Sequence, residues 1–323
     1  MALPRDRALL VKAARLYYEE DLSQDQVAAA IGVSRSNISR MLTDARAQGI
    51  VQIRIVEHAM RDSALESRLL EVLPIRNIRV ARSLNSIDDY ASVGALGAEA
   101  LNDRVRANST VAVSWGTTLQ SMVNALESDY LPGVHLVPLV GGMTELSSGS
   151  NGEDLIRSMA AKMGASFSAM LAPVVVSSRE TRDAFVNEPS IAEVLKQAAN
   201  ADIAIVGIGS KRSSSTMDLL HSAGLPDETY DALVQDMAGD MAARIFDIEG
   251  KPLDHGWSDR IIGVDLDQMR RIPYVIGIAA GAGKATGVIG AVRGGYVSEI
   301  VLSSSCALAI LRALDSESGV KAS

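Results

Sequence analysis

The sequence has 323 residues, of which 47% are hydrophobic and 22% are charged, an ordinary composition for a globular protein long enough to form two domains. Its formal net charge is −8, but the segment up to His58 is nearly neutral and the remainder is acidic. This distribution argues against polyanion binding over the whole surface and permits one basic surface near the N-terminus. The single cysteine, Cys306, excludes an internal disulfide and a cysteine-rich metal site.

The sequence also gives expectations about the cellular compartment and about metal binding. Charged residues interrupt the N-terminal segment too early for a signal peptide, and no apolar run is long enough to span a membrane. The four histidines, at positions 58, 135, 221 and 255, show no metal-ligand spacing. We therefore expect a cytoplasmic protein with no metal and no cofactor.

Two short helices are predicted at the start of the chain. Apolar residues at helical spacing from Leu9 to Tyr17 predict a first helix that ends near Asp21. Ser23 and Gln26 are spaced as a capping box, which predicts that a second helix begins after Ser23. Gly32 is expected to end that helix, because glycine readily adopts the left-handed backbone of a helix C-terminus.

A third helix is predicted after the N-cap candidate Ser34, running to about Gln48. Two helices joined by a glycine turn are typical of a helix-turn-helix, whose second helix enters the DNA major groove. Val33, Ile38 and Leu42 would face inward, and the polar residues between them outward. The predicted DNA contacts are Ser34, Arg35, Ser36, Asn37, Ser39 and Arg40. The alternative is a helical hairpin whose polar face is solvated.

A wing is predicted to complete this first domain, which spans residues 1–58. The segment 50–58 alternates apolar and polar residues, a pattern typical of a short strand. Arg46 and Arg54 would flank the groove as phosphate contacts. The first domain is therefore predicted to be a winged helix-turn-helix that binds double-stranded DNA.

Residues 59–323 are predicted to form a second, α/β domain. Its first helix, from about residue 60 to 73, has Leu65, Leu69 and Val72 at helical spacing and either joins the domains or mediates dimerisation. Eight Val/Ile/Ala-rich segments predict strands, at 75–83, 109–116, 134–142, 165–176, 201–210, 259–266, 274–281 and 297–304. Helical patterns between them indicate a Rossmann-like, mostly parallel sheet that is covered on both faces.

Glycines follow several of the predicted strands, where ligands bind in such sheets. They are Gly116, Gly141, Gly142, Gly207, Gly209, Gly281 and Gly283. In the stretch TVAVSWGTTLQSMVNAL, Gly116 is followed by Thr117, Thr118 and a helix, a common way to build an anion or sugar pocket. The two threonines have a simpler alternative role, because threonine often caps helices.

Two nucleotide-binding motifs are incomplete. The segment 278–286 has Ile278 and Ala285 where a P-loop needs glycine and a hydroxyl residue. Arg212 stands where a dinucleotide fingerprint needs its third glycine. Lys284 nevertheless follows a glycine cluster and either pairs with a phosphate or carboxylate or is a solvated helix-start lysine. Asp240 either accepts sugar hydroxyls or caps a helix.

These motifs resemble those of the SorC/DeoR-type sugar-binding transcriptional regulators of bacteria. The resemblance covers essentially residues 9–314 and rests on the order and spacing of LSQDQVAAAIGVSRSNISRMLTDARAQGIV, SWGTTL, PLVGG, LAPVVV, VGIGS, GDMAARIFDIEG and IGIAAGAGKATGVIGAVRGG. It implies a winged helix-turn-helix joined to an effector domain similar to ribose-phosphate isomerases and glucosamine-phosphate deaminases. It also implies operator DNA, a sugar, polyol or sugar-phosphate effector, and a homodimer or homotetramer as partners.

The effector site that this resemblance implies is formed by Gly116, Thr117, Thr118, Gly141, Gly142, Gly207, Gly209, Asp240 and Lys284. The family commonly has an Asp-Glu pair after its last strand, where this chain has Ser304 and Ser305. That departure would favour an uncharged polyol or a different sugar.

The chain is thus predicted to be a ligand-responsive DNA-binding regulator, acting as a repressor, and not an enzyme. One alternative is a sugar-phosphate isomerase or deaminase with an appended DNA-binding domain, since the sheet resembles those enzymes. Such chemistry needs a positioned base, for which Asp240 and Glu145 are candidates without a clear partner. A third alternative is a constitutive DNA-binding protein with an inactive pocket.

Overall fold

The chain divides into two compact units, Met1–Glu57 and His58–Ser323, each with its own hydrophobic core. The computed structural model describes residues 7–51, 60–82, 88–127, 131–143 and 152–321. Within these ranges no helix is long and apolar enough to cross a membrane.

The first unit contains three helices, α1 (Arg7–Tyr18), α2 (Gln24–Ile31) and α3 (Arg35–Ala47). The capping box is confirmed: the Ser23 side chain accepts from the Gln26 N–H, and the Gln26 side chain accepts from the Ser23 N–H. Gly32 ends α2 with a φ of 81°, in the left-handed region that glycine adopts without steric cost. The first helix ends at Tyr18, before the predicted Asp21.

The core of the first unit joins all three helices. Leu10 of α1, Val27 of α2 and Ile38 of α3 are fully buried in it. Truncating a side chain such as Ile38 to alanine would cost about 2–5 kcal/mol, much of the stability of so small a unit. Most of the predicted wing, with Arg54, lies outside the described residues; Ile50 and Val51 are described and pack against this core.

The second unit is built on a parallel sheet. Its described strands are β1 (Asn77–Ala81), β2 (Thr110–Val113), β3 (His135–Pro138), β4 (Ser166–Phe167), β5 (Ile203–Gly207), β6 (Gly239–Met241), β7 (Arg244–Phe246), β8 (Tyr274–Ala279) and β9 (Glu299–Ser303). Seven of them form one sheet in the order β1-β9-β8-β5-β2-β3-β4, and every neighbouring pair is parallel. Strands β6 and β7 form a separate antiparallel pair.

Helices cover both faces of this sheet, as predicted. They are α4 (Ser63–Val72), α5 (Asp88–Asn102), α6 (Thr117–Ala125), α7 (Gly152–Met163), α8 (Arg179–Asn187), α9 (Pro189–Ala199), α10 (Ser214–Ser222), α11 (Asp227–Asp236), α12 (Leu266–Arg271), α13 (Ala285–Arg293) and α14 (Ser304–Lys321). Successive residues of β5 enter opposite cores: Ile203 and Ile205 lie in one, Ala204 and Val206 in the other.

The strand order reverses direction between β2 and β5. The chain builds β3 and β4 on one side of β2, then continues with β5, β8 and β9 on the other side. Val113, the last residue of β2, pairs with Ile205 of β5, so β5 extends two residues beyond the end of β2. In open α/β sheets a crevice forms at this reversal, beyond the carboxyl ends of the strands.

One predicted strand, 259–266, is wrong. The segment begins in a 3-10 turn and then makes only isolated bridges, from Ile261 to Val175 and from Gly263 to Val140. The buried Arg244 side chain donates to the carbonyl oxygens of Val264, Ser258 and Gly263. A side chain therefore satisfies backbone acceptors that a strand ladder would otherwise pair.

Three smaller differences separate the observed elements from the predicted ones. The predicted strand 165–176 is reduced to the two residues of β4, and the β6–β7 pair was not predicted because its strands have only three residues each. On α4, Leu65 and Leu69 are buried as predicted, but Val72 is 46% exposed. Val72 is the last residue of that helix.

Candidate functional site

The polar residues predicted to contact DNA all lie on the surface of the first unit. Ser34, Arg35, Ser36, Asn37, Ser39 and Arg40 are exposed, whereas Ile38 and Leu42 of the same helix are buried. Ser34 is the N-cap of α3, and its hydroxyl accepts from the Asn37 N–H at 3.3 Å. The remaining side chains are therefore presented along the first turns of a helix with one apolar face.

A polar cavity of about 350 Å³ lies at the carboxyl ends of β2, β5 and β8 in the second unit. Of the nine predicted effector contacts, seven line it: Gly116, Thr117, Thr118, Gly207, Gly209, Asp240 and Lys284. These residues are separated by up to 168 positions in the chain but meet at the place where the strand order reverses.

Gly141 and Gly142 line a different, neighbouring cavity of about 780 Å³. The Gly142 N–H donates to Ala172 at 2.9 Å, and its carbonyl accepts from Val174 at 2.8 Å. A β-carbon on Gly141 would overlap the Pro173 backbone, while one on Gly142 would meet nothing within 4 Å. Gly141 is thus needed for close backbone packing, and Gly142 faces open space.

The N-terminus of α6 points its backbone donors toward the polar cavity. Gly116 is the N-cap, has a φ of 135° and makes no side-chain cap hydrogen bond. Thr117 and Thr118 are the first two residues of the helix rather than its caps, so the capping alternative is wrong. Uncapped N–H groups at a helix N-terminus favour an anion through direct hydrogen bonds and the helix dipole.

Lys284 is half-buried at the opposite rim. Its Nζ donates to the Ser213 hydroxyl at 2.5 Å. Burial lowers the pKa of Lys284, and the carboxylate of Asp240 partly opposes that shift. A half-buried ammonium held by a neutral hydroxyl is not the solvated lysine of the alternative interpretation, and it is well placed to pair with an incoming anion.

Asp240 is buried on strand β6, so its alternative role as a helix cap is wrong. Its Oδ1 accepts from the Thr216 hydroxyl at 2.6 Å. Burial raises the pKa of Asp240; the Thr216 hydrogen bond and the nearby Lys284 charge oppose that shift. A β-carbon on Gly209 would overlap this carboxylate, so any larger residue there would have to displace the Asp240 side chain.

Further lining residues were not predicted from the sequence. They are Tyr90, Ser114, Trp115, Ile208, Arg212, Ser213, Ser215, Thr216, Ala242, Ala243 and Ala280, whereas Gly281 and Gly283, which also line the cavity, are among the strand-end glycines expected there. Arg212 is exposed at the rim of this cavity. The only signal for it in the sequence is its position in the loop after Gly209, where it departs from a dinucleotide-binding motif.

Trp115 separates the two cavities, since it lines both. Its indole N–H is buried and has no hydrogen-bond acceptor within the part of the chain that the structure describes. An unpaired buried donor of this kind costs about 1–3 kcal/mol. A ligand, or a shift of the ring, that gave this N–H an acceptor would therefore stabilise the protein.

Ser304 and Ser305 lie behind the cavity rather than in its lining. The Ser305 hydroxyl donates to Asp89 of α5 at 2.5 Å, and the Ser304 hydroxyl to the Ala81 carbonyl at 2.9 Å. Ser303 accepts from the N–H of Gly281, which does line the cavity. Ser303 therefore supports the loop after β8, and Ser305, whose hydroxyl lies 2.9 Å from that of Ser303, links it to Asp89.

The described residues contain no cluster of three or more potential metal ligands. Cys306 is buried, as predicted, and burial raises the pKa of its thiol to about 12. Arg54, predicted to contact phosphate from a wing, and the candidate base Glu145 lie outside the described residues, whereas Arg46 is exposed at the end of α3.

Comparison with known proteins identifies both units. A family model described as "Putative sugar-binding domain" matches residues 57–312, and one described as "Helix-turn-helix" matches residues 11–57. The chain belongs to the SorC/DeoR-type family of sugar-binding transcriptional regulators. This SorC/DeoR-type chain is 30% identical to the deoxyribonucleoside regulator of Bacillus subtilis (strain 168) over 311 residues, covering 95% of this chain and 98% of the relative.

Two further relatives support the same assignment. The sorbitol operon regulator of Klebsiella pneumoniae is 28% identical over 313 residues, covering 95% of the SorC/DeoR-type chain and 98% of the relative. The crystal structure of the full-length Klebsiella pneumoniae regulator SorC has a TM-score of 0.70 at 29% identity, with 94% and 98% of the two chains covered. A sugar-binding domain of a Vibrio fischeri transcriptional repressor has a TM-score of 0.71 at 26% identity, with 79% and 100% covered.

Proposed function

We propose that the chain represses a carbohydrate or polyol catabolic operon by binding operator DNA through α3, as a homodimer or homotetramer. Its effector is a sugar or polyol that binds in the polar cavity and preferably carries a phosphate. The named functions of the Bacillus subtilis and Klebsiella pneumoniae relatives support this reading. A two-fold assembly would bind a repeated or palindromic site.

The observation that carries the proposal is the convergence of anion-binding groups on one small cavity. The uncapped N-terminus of α6 and the ammonium of Lys284 both border it, and Arg212 adds a second cation at its rim. Asp240 is the only carboxylate among the described lining residues, and burial raises its pKa. The cavity therefore favours a phosphate over a neutral group.

Hydroxyl groups of the effector have partners on the other side of the cavity. Asp240 and Thr216 are hydrogen-bonded to each other in the buried wall, and Ser213 lies beside Lys284. A carboxyl group and hydroxyls at this depth suit the hydroxyls of a sugar or polyol, because buried polar groups need partners.

A thermal-shift screen tests this proposal. Sugars, polyols and their phosphates would be compared on the full-length protein, since a ligand that binds the folded state raises Tm. We expect phosphorylated members to give the larger shifts. In Lys284→Met the best phosphate ligand should bind roughly 10- to 150-fold more weakly, as expected for a hydrogen bond to a charged group. Lys211→Met is the matched control, because Lys211 is exposed on the same loop system and does not line the cavity.

An activity assay on the same purified protein tests the enzyme alternative. Turnover of any pentose or hexose phosphate would support an isomerase or deaminase. Binding without turnover, together with preference for an operator sequence over random DNA, would support the regulator. Failure of every compound in the screen to shift Tm would contradict the effector proposal and favour a constitutive DNA-binding protein.

A further inference from the structure

The 780 Å³ cavity beside the polar cavity has the character of a second ligand compartment. Its walls are mainly apolar, including Val140, Ile156, Met170, Val174 and Phe185. Its volume lies within the range of small-molecule sites, about 300–1,000 Å³. Its polar side chains, Ser114, Glu153, Ser168 and Ser222, are outnumbered by apolar ones, so a sugar phosphate placed there would lose hydration over most of its surface.

The two cavities are adjacent rather than independent. Ser114 and Trp115, at the end of β2, line both of them. A ligand whose phosphate and sugar lie in the polar cavity can therefore extend past the indole ring of Trp115 into the apolar one. Gly142 assists such a ligand, since no atom within 4 Å faces the position of its missing β-carbon.

The walls of the apolar cavity favour a flat ring over a flexible chain. Trp115 and Phe185 each offer an aromatic ring, and aromatic groups pack well against such faces. The buried indole N–H of Trp115 has no acceptor among the described residues, and an alkyl chain would leave it unpaired. A heteroaromatic ring brings acceptor atoms that this N–H can meet when the indole ring shifts toward the cavity.

We propose that the apolar cavity binds a planar heteroaromatic group carried by the sugar, so that the effector is of the nucleoside 5′-monophosphate class. This inference rests on the proposed effector function and names the chemical class of ligand for it. It is separate from the P-loop and dinucleotide motifs, which are incomplete in this chain.

Matched ligands make the inference testable. Ribose 5-phosphate and the nucleoside 5′-monophosphates of uracil and adenine differ only by the base, so their dissociation constants from the full-length protein isolate its contribution. We expect at least one nucleotide to bind tenfold or more tightly than ribose 5-phosphate. Equal or weaker nucleotide binding, alongside measurable binding of any sugar phosphate, would overturn the inference and leave the proposed function intact.

Two variants locate the base. Gly142→Leu places a side chain in the open space of the apolar cavity, so the ratio of the two dissociation constants should fall to about one. Trp115→Phe keeps a ring and removes the indole N–H, so the ratio should fall severalfold. If both variants remain folded by their Tm and keep the wild-type ratio, the base lies elsewhere and the inference is wrong. If no sugar phosphate or nucleotide binds, the effector function fails and this inference fails with it.

Discussion

Gly209 and Asp240 fit together so closely that a β-carbon on residue 209 would overlap the carboxylate of Asp240. The two residues also exchange a backbone hydrogen bond, from the Gly209 N–H to the Asp240 carbonyl at 2.8 Å. The loop after β5 and the strand β6 thus form one wall of the polar cavity, and the position of its carboxylate depends on the absence of a side chain opposite.

Gly209→Ala is therefore expected to displace the Asp240 side chain. Overpacking of this kind costs about 1–3 kcal/mol, and the loss should appear both as a lower Tm and as weaker effector binding. Calorimetry and ligand titration would measure the two effects. Gly142→Ala serves as the stability control, because its new β-carbon meets nothing within 4 Å; equal Tm losses in both variants would contradict the packing argument.

The raised pKa of Asp240 predicts a pH dependence of stability. The folded state holds a proton on this buried carboxyl at pH values where the unfolded chain has released it. That contribution is complete below the unfolded pKa, about 3.9, and is lost as the pH rises toward the folded pKa. Asp240→Asn cannot ionise, so its Tm relative to wild type should improve as the pH rises from about 4 toward neutrality.

Lys284 affects the stability of the fold over a different pH range, because burial lowers its pKa. Its folded state binds fewer protons than the unfolded state between that lowered pKa and about 10.4, so its contribution to stability grows as the pH rises there. The comparison of wild type with Asp240→Asn in the acid range therefore isolates the carboxyl. A Tm difference that stays constant with pH would show that Asp240 titrates normally.

Arg212 should be a specific anion contact rather than a general surface charge. Arg212→Ala is expected to weaken binding of a phosphorylated effector roughly 10- to 150-fold and to affect its unphosphorylated counterpart much less. Lys211→Ala removes the same charge from the neighbouring exposed residue, which does not line the cavity. If titration calorimetry shows similar losses of effector affinity in both variants, the effect arises from the overall electrostatic field of the protein instead.

The exposed start of α3 predicts separable effects on DNA binding. Arg35→Ala and Asn37→Ala should each cost about 1–3 kcal/mol of discrimination between operator and random DNA. Thr43→Ala is the control, since Thr43 is exposed on the same helix and its hydroxyl bonds only to the Ser39 carbonyl. Gel shifts with the region upstream of the chain's own operon would measure the ratio. If Arg35→Ala and Asn37→Ala both keep the wild-type discrimination between operator and random DNA, α3 is not the recognition helix.

Sequence patterns predicted the parts of the structure that depend on near neighbours. The capping box of Ser23 and Gln26 and the end of α2 at Gly32 are set within a few residues, and both are confirmed. The parallel sheet followed from apolar strands separated by helices. Segment 259–266 has the same apolar composition but makes only isolated bridges, and the side chain of Arg244 donates to two of its carbonyl groups.

The composition of the cavity depends on long-range order that local patterns do not contain. Gly116, Gly141 and Gly207 all follow strands, but β3 and β5 lie on opposite sides of β2. That lateral order separates Gly141 from the polar cavity and brings Gly207 into it. Arg212 and Thr216 reach the cavity from a loop and from α10, where no strand-end signal marks them. The DNA contacts and effector contacts themselves stay predictions.

The central claim is that occupancy of the polar cavity changes the affinity of the protein for its operator. This requires the effector to bind the DNA-competent and DNA-incompetent states with different affinities. The most direct measurement is the operator dissociation constant with and without saturating effector, at fixed salt. We predict a change of roughly 5- to 150-fold in the wild-type protein, and a smaller change in Lys284→Met when both are compared at an effector concentration near the wild-type dissociation constant. An effector that raises Tm in the wild-type protein but leaves its operator affinity unchanged would contradict the account.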